Sequence, residues 1–324
     1  MSERPVITVL CRDSRPPKMN EVEALAEVRY ASAAELPSAL PGAEALFMWH
    51  FGSTALGGAE PYADRLRWIH QAGAGVDKVL VPWVVESDIT VTNSRGVFDR
   101  SIAEYVLGLV LSFAKGFPET LALQAGHTWR HRETEMVHGR SALVVGVGPI
   151  GRMIARLLRG VGMTVSGVGR TAREADDDFG AVLPASELRD ALPEADYVVV
   201  AAPLTDDTRG MFDAAAFAAM RPTARFVNIG RGEIVVQADL VEALRSGGIA
   251  AAALDVFEEE PLPADSPLWD MPNVIVSPHM SADFVGWLDV LAEVFVDNFR
   301  RWHAGTPLRN VVDKQLGYVT RENA

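Results

Sequence analysis

One short pattern limits what this chain can fold into more than any other. Ala142 to Val145 is an apolar run of strand length that leads into Gly146, Gly148 and Gly151, spaced G-x-G-x-x-G. Ile150, Ile154, Leu157 and Leu158 then recur at helical spacing, Gly160 and Gly162 mark a turn, and Met163 to Val168 is a second apolar run. Strand, glycine turn, helix and strand in that order predict a βαβ unit. Gly146 permits the tight turn out of the strand. Gly148 lets backbone approach a pyrophosphate, and Gly151 lets the helix lie close on the sheet. The start of the helix offers unpaired N–H groups and a positive dipole end to phosphate. Glycine-rich loops are common, so the spacing alone says little. Between a strand and a helix it predicts a dinucleotide site.

The rest of the chain alternates in the same way. Val6–Leu10 reads as a strand, 21–28 as an amphipathic helix, and 45–49, 66–70 and 89–92 as further strands. These describe a small α/β domain. Residues 101–115 read as a long buried helix, and 121–132, with Trp129 among polar residues, as a protruding segment at a subunit contact. Beyond the glycine loop, strands are expected at 197–201, 225–229, 250–256 and 274–276, with helices at 213–220 and 237–246. A second long helix is expected at 284–302. Alternation of this kind implies doubly wound parallel sheets. The 324 residues suffice for two domains, and two long helices in place of a loose linker suggest a hinge.

Composition narrows the function. Hydrophobic residues make up 48% of the chain, enough for real cores. The formal charge is −13 and Lys and Arg form no long block, so no nucleic-acid surface is expected. Cys11 is the sole cysteine, which rules out a disulfide within the chain; its place in the first strand reads as core. The first residues lack a signal-peptide pattern, and the apolar stretch 102–114 carries Glu104 and is too short to span a bilayer. A cytoplasmic protein with no membrane partner and no metal site is therefore expected.

Ligands of doubly wound sheets bind beyond the carboxyl ends of the strands. There the sequence places A-A-P-L-T (201–205), Arg231 in G-R-G, D-V-F-E-E-E-P (255–261) and His279 in S-P-H-M-S. His279 has an ordinary pKa suited to proton transfer near neutral pH. A carboxylate such as Glu260 bonded to it would orient the ring and raise its pKa. Arg231 can clamp a carboxylate with two hydrogen bonds and polarise a neighbouring carbonyl. Singly, each has a plain reading: a solvated loop histidine, surface charge, a turn arginine. Together, at successive strand ends of a dinucleotide sheet, they match what hydride transfer needs.

These motifs resemble those of the D-isomer-specific 2-hydroxyacid dehydrogenases, in the branch of glyoxylate and hydroxypyruvate reductases. The matching stretches are G-V-G-P-I-G (146–151), P-L-T (203–205), N-I-G-R-G (228–232), A-L-D-V-F-E-E-E-P-L-P (253–263) and S-P-H-M-S (277–281), with S-I-A-E-Y-V-L (101–107) and G-A-G-V-D (73–77). The resemblance implies two Rossmann-like or flavodoxin-like domains with a cleft between them. Residues 1–100 plus 284–324 would form a flavodoxin-like substrate domain, and 101–283 the Rossmann domain. It implies catalytic roles for Arg231, Glu260 and His279, with Arg231 on the substrate carboxylate and carbonyl, and His279 as acid in reduction and base in oxidation. Glu258 and Glu259 would be bystanders. The amides of Ala74 and Gly75 would receive the substrate carboxylate, with Trp49 as a pocket wall or as core. Cofactor contacts are expected from Gly146, Gly148, Pro149, Ile150, Gly151, Arg170, Thr171, Ala202, Pro203, Ile229, Gly230, Arg231, Asp255, His279 and Ser281, Asp255 holding the nicotinamide carboxamide. A homodimer is also implied. Two departures stand out. M-S-A replaces M-S-G after His279, and Glu260 stands where formate dehydrogenases have Gln, which disfavours formate.

The cofactor follows from the end of the second βαβ strand, where an acid would bind the ribose of NAD. Here the strand ends Gly169-Arg170-Thr171. With no acid and an arginine able to pair with a 2′-phosphate, NADP(H) is expected over NAD(H). The expected activity is reversible reduction of a small 2-keto acid to a D-2-hydroxy acid. Two other classes share these motifs: a non-catalytic, corepressor-like dinucleotide sensor, and a hydride-transfer enzyme for a substrate such as phosphite.

Overall fold

Two sheets organise residues 4–320, those described by the computed structural model, one in each of two units. The first unit takes the described residues up to Val97 together with those from Phe284 onward, and the second takes Phe98–Asp283. The first sheet contains β1 (Val6–Leu10), β2 (Glu27–Ala31), β3 (Ala45–Met48), β4 (Trp68–Gln71) and β5 (Thr90–Asn93). They are all parallel, in the order β2-β1-β3-β4-β5. This is the flavodoxin-like order, and it reverses between β1 and β3. Every residue of β3 and β4 is buried, which explains apolar runs without alternation.

The helix Trp287–His303 completes this core from the far end of the chain. Phe295 stacks on Phe47 with centroids 3.9 Å apart and planes 6° from parallel, and on Trp68 at 5.3 Å. Beyond it, residues near 311 run beside β5: Val311 bridges Thr92, and the N–H of Val312 donates to the Val91 carbonyl at 2.8 Å.

Two expectations in this unit need correction. The helix expected over 21–28 is Asn20–Leu25, and Glu27–Ala31 is the edge strand β2. Val22, Leu25 and Val28 fit a helical stripe, which masked the strand alternation of Val28 and Tyr30 between charges. Cys11 lies just past β1 and is only partly buried, its N–H bonded to the Ala31 carbonyl at 2.8 Å. Burial still pushes its thiol up to about 11, against a smaller opposing effect of Arg15, and so lowers its thiolate fraction.

In the second unit, β6 (Ser141–Val145), β7 (Thr164–Gly169), β8 (Arg173–Asp176), β9 (Gly180–Pro184), β10 (Tyr197–Val200), β11 (Arg225–Asn228), β12 (Ala251–Leu254) and β13 (Val274–Val276) form one sheet. Its order is β13-β12-β11-β10-β6-β7-β9-β8. The reversal between β10 and β6 is the crevice where a doubly wound sheet takes its dinucleotide. All neighbours are parallel, as expected of a doubly wound sheet, except the edge strand β8, which is antiparallel to β9. The helix Asp99–Ala114 buries Ile102, Ala103, Val106, Leu109 and Val110 and packs against the helix Pro149–Gly160. The segment expected to be irregular begins with a helix, Phe117–Ala125, that buries none of its residues, and Trp129 beyond it is fully exposed. Among the described residues, no single helix is long and apolar enough to cross a membrane.

Candidate active site

The glycine loop shows which of its glycines the protein itself requires. Gly146 has φ +108°, and a Cβ there would sit 2.5 Å from Ala201 C and Ala202 N at the end of β10. A Cβ on Gly151 would fall on the Gly146 carbonyl oxygen. Both are forced by close backbone packing. Gly148 differs: its φ of −73° suits any residue, and a Cβ would meet nothing within 4 Å. The open space lies over the start of the helix Pro149–Gly160, where proline's missing N–H costs nothing. This is where the sequence leads one to expect backbone to approach a pyrophosphate.

β7 follows this helix and leads to Arg170 and Thr171, both exposed. The hairpin that follows is bound to the helix Pro149–Gly160 by charge. Arg152 makes a two-bond pair with Asp176, at 2.9 and 2.8 Å, and a third bond to Asp178 at 2.8 Å. Arg156 joins Asp178 at 2.6 Å and Arg173 joins Asp176 at 2.8 Å. The hydrogen bonds from Arg152 outweigh burial and hold the Asp176 carboxyl far below its usual range. The turn carrying Arg170 and Thr171 is therefore fixed at its far end. Charge pairs hold the β8 side of the hairpin, and Phe179 and Val182 bury its apolar side.

Arg231 follows β11 on a backbone shaped by Asn228. The Asn228 side chain accepts the Gly230 N–H at 3.0 Å and donates to the Arg231 carbonyl at 3.0 Å. A Cβ on Gly230 would lie 2.9 Å from the Ala202 carbonyl oxygen, and one on Gly232 would overlap the peptide joining Phe257 to Glu258. The two glycines let three strand ends converge and fix the backbone of Arg231 between them. Ala202, Ile229 and Gly230 are buried, whereas Pro203 is exposed.

Asp255, just past β12, is 1% exposed. Its Oδ1 accepts the Ser277 hydroxyl at 2.7 Å and the Met280 N–H at 2.9 Å; its Oδ2 accepts the Ser281 N–H at 2.9 Å. Its carbonyl accepts the His279 N–H at 2.8 Å. Asp255 thus builds the turn in which His279 has the left-handed φ of +53°. Oδ2 keeps one acceptor position for the expected carboxamide. Sequence reasoning missed this building role, which only the spatial meeting of β12 and β13 reveals. Burial, with the Asp255 charge, pushes the nearby Asp283 carboxyl up, His279 opposing in part.

The imidazole and carboxylate expected to pair do so. Glu260 Oε2 lies 2.7 Å from His279 Nδ1, and Glu260 Oε1 accepts the Phe257 N–H at 3.0 Å. Burial would raise the Glu260 carboxyl. The hydrogen bond and charge of His279, the Phe257 N–H and the Arg231 charge outweigh it, so the group lies below its ordinary value. With Nδ1 engaged, Nε2 is the nitrogen left to exchange a proton. Glu258 is not idle: it accepts the Gln237 N–H at 2.9 Å, at the start of a helix.

In the first unit, Ala74 and Gly75 follow β4 and are half-buried. Trp49 is 6% exposed and meets Phe47 edge-on at 5.6 Å, so it is mainly core, with little surface left for a ligand.

The chain is similar to known proteins in both sequence and fold. The family model described as D-isomer specific 2-hydroxyacid dehydrogenase, NAD binding domain, matches residues 107–281. A glyoxylate reductase of Aeropyrum pernix is 36% identical over 264 residues, covering 78% of this chain and 78% of its own. Among solved structures, an NADPH-dependent glyoxylate/hydroxypyruvate reductase of Sinorhizobium meliloti, in complex with NADP and sulfate, superimposes with a TM-score of 0.83 at 32% identity, over 98% of this chain and 100% of its own. A D-isomer specific 2-hydroxyacid dehydrogenase of Xanthobacter autotrophicus, in complex with NADPH and MES, gives 0.83 at 30% identity, over 98% and 100%.

Proposed function

The chain belongs to the D-isomer-specific 2-hydroxyacid dehydrogenase family, and from that premise we propose that it reduces glyoxylate or hydroxypyruvate to the D-2-hydroxy acid with NADPH. It is an oxidoreductase that acts reversibly between small 2-keto acids and 2-hydroxy acids with a nicotinamide cofactor. The observation that carries the assignment of roles is the 2.7 Å contact of His279 with Glu260 at the strand ends that also bear Arg231.

The cofactor, when bound, supplies the hydride. Gly148 and the first turn of its helix would hold the pyrophosphate, Arg170 and Thr171 the adenosine side, and Asp255 the carboxamide. Arg231 grips the substrate carboxylate and polarises the carbonyl next to it. His279 gives the proton on Nε2 to the oxygen that gains charge, and takes it back in oxidation. Glu260 orients the ring and balances its charge while it is protonated. In the first unit, the Ala74 and Gly75 amides are the groups we propose for a substrate carboxylate.

Preference for NADPH is supported by the end of β7, where Arg170 stands and no acid precedes it. Comparing kcat/KM for NADPH and NADH decides the point; a preference for NADH would sink it. An absorbance assay over a panel of 2-keto acids tests the substrate class, and no turnover of any of them would overturn the assignment. The segment 121–132, with Leu121 and Trp129 exposed, is proposed to meet a second copy of the chain, which sedimentation of the purified protein tests.

A further inference from the structure

We propose that Asn93 is a positioning residue for the substrate carboxylate, acting through the amides of Ala74 and Gly75. The proposal rests on the reading that those amides receive the carboxylate. Asn93 ends β5 and is 3% exposed. Its Nδ2 donates to the Ala74 carbonyl at 2.6 Å, and the N–H of the next residue, Ser94, donates to the Gly73 carbonyl at 3.2 Å. Two consecutive carbonyls of the loop are thereby turned toward the end of β5.

Peptide geometry converts that into a statement about the amides. Both peptides are trans, so each N–H points opposite to the carbonyl of its own peptide unit. The Gly73 carbonyl shares a peptide with the Ala74 N–H, and the Ala74 carbonyl with the Gly75 N–H. Holding both carbonyls toward β5 aims both N–H groups away from it. Neither N–H has a hydrogen-bond acceptor among the described residues. Successive N–H groups aimed together form an anion-binding concavity.

Asn93 is itself held. Its Oδ1 accepts the Arg95 N–H at 3.2 Å, and its backbone N–H donates to the Asn310 carbonyl at 3.3 Å. Asn310 Nδ2 donates to the carbonyls of Asn93 at 3.2 Å and Arg95 at 3.0 Å. Asn310 has φ +57°, a conformation that glycine also adopts. The returning end of the chain therefore braces the residue that aims the amides.

The test compares glyoxylate with its neutral methyl ester in the wild type, Asn93→Ala, Asn93→Asp and Asn310→Gly. Asn93→Asp keeps the shape but cannot donate to Ala74. Either change at Asn93 should raise KM for glyoxylate by about 10-fold or more, with kcat within about 3-fold, because misaimed amides weaken charge-assisted hydrogen bonds. KM for the ester and Kd for NADPH, the latter by fluorescence without keto acid, should stay put. Asn310→Gly keeps the backbone conformation and should give a smaller rise of the same kind, a readout that survives if the Asn93 variants fail to fold. An unchanged KM for glyoxylate, or an equal rise for acid and ester, would overturn the role of Asn93. Equal handling of acid and ester by the wild type would instead overturn the underlying reading of the carboxylate site.

Discussion

Glu260 reaches His279 Nδ1 at 2.7 Å with one oxygen while its other oxygen is held by the Phe257 N–H at 3.0 Å. The carboxylate is aimed by backbone before any substrate arrives, so its effect on the ring is electrostatic as well as steric. Glu260→Gln keeps the shape and can keep the Phe257 bond, but it removes the charge opposite a protonated imidazole. It should lower kcat by about 10- to 100-fold, less than His279→Ala, which should cost about 10²- to 10⁴-fold. Both variants should bind NADPH within about 3-fold of wild type, because the charge-assisted contacts proposed for the adenosine side lie elsewhere. Near-normal turnover by His279→Ala, read by NADPH absorbance, would remove it from the mechanism.

Gly148 and Gly151 should respond in opposite ways to the same methyl group. Gly151→Ala places a Cβ on the Gly146 carbonyl and should cost about 2–3 kcal/mol of stability. Gly148→Ala meets no protein atom within 4 Å and should leave the melting temperature unchanged. It should nevertheless weaken NADPH binding by about 10-fold or more, since the methyl group occupies the space assigned to the pyrophosphate. Equal affinity in wild type and Gly148→Ala, by fluorescence titration, would place the phosphates elsewhere.

Arg170→Ala should reduce kcat/KM for NADPH by about 10- to 100-fold, the value of a charge-assisted hydrogen bond, and leave that for NADH within about 3-fold. A parallel loss with both cofactors would mean that Arg170 supports the hairpin rather than the 2′-phosphate.

His70 should make the first unit sensitive to acid. It is fully buried among Phe47, Trp68 and Phe295, with Nδ1 2.8 Å from Thr92 Oγ1 and no partner for Nε2 among the described residues. Burial drives its pKa down to about 3 from the ordinary 6.5. Between those values the unfolded chain binds a proton that the folded chain refuses. Stability should therefore fall as pH drops below about 6.5, with this one residue contributing up to about 1.4 kcal/mol per pH unit. Urea midpoints followed by tryptophan fluorescence from pH 7.5 to 4.5 should show a shallower decline in His70→Gln. Parallel curves for the two proteins would refute the assignment.

What could be read in the residues divides by the kind of force involved. The strands buried on both faces, such as β4 and β10, announce themselves through apolar runs, and the glycine spacing announces the crevice. The hairpin of β8 and β9 is less plain, because β8 is charged and Asp176 and Asp178 are stabilised by Arg152 and Arg156 on a helix, partners that local periodicity cannot supply. Of the site, Arg231, Glu260 and His279 were legible because reactive side chains at strand ends are few. Asp255 and Asn93 work through backbone groups brought together by sheet order, and no spacing along the chain marks such meetings. Asn93 in particular reads as an ordinary polar residue in a connection.

The aromatic stack of Phe47, Trp68 and Phe295 has a consequence for how the protein is made. The second unit is contiguous in sequence, whereas the first is assembled from both sides of it. During translation the strands of the first unit emerge early but lack the helix Trp287–His303 until the whole second unit has been synthesised. The usual order, in which the amino-terminal domain folds first, is thus inverted. The later unit can settle while the earlier one waits with Phe47, Trp68 and His70 uncovered.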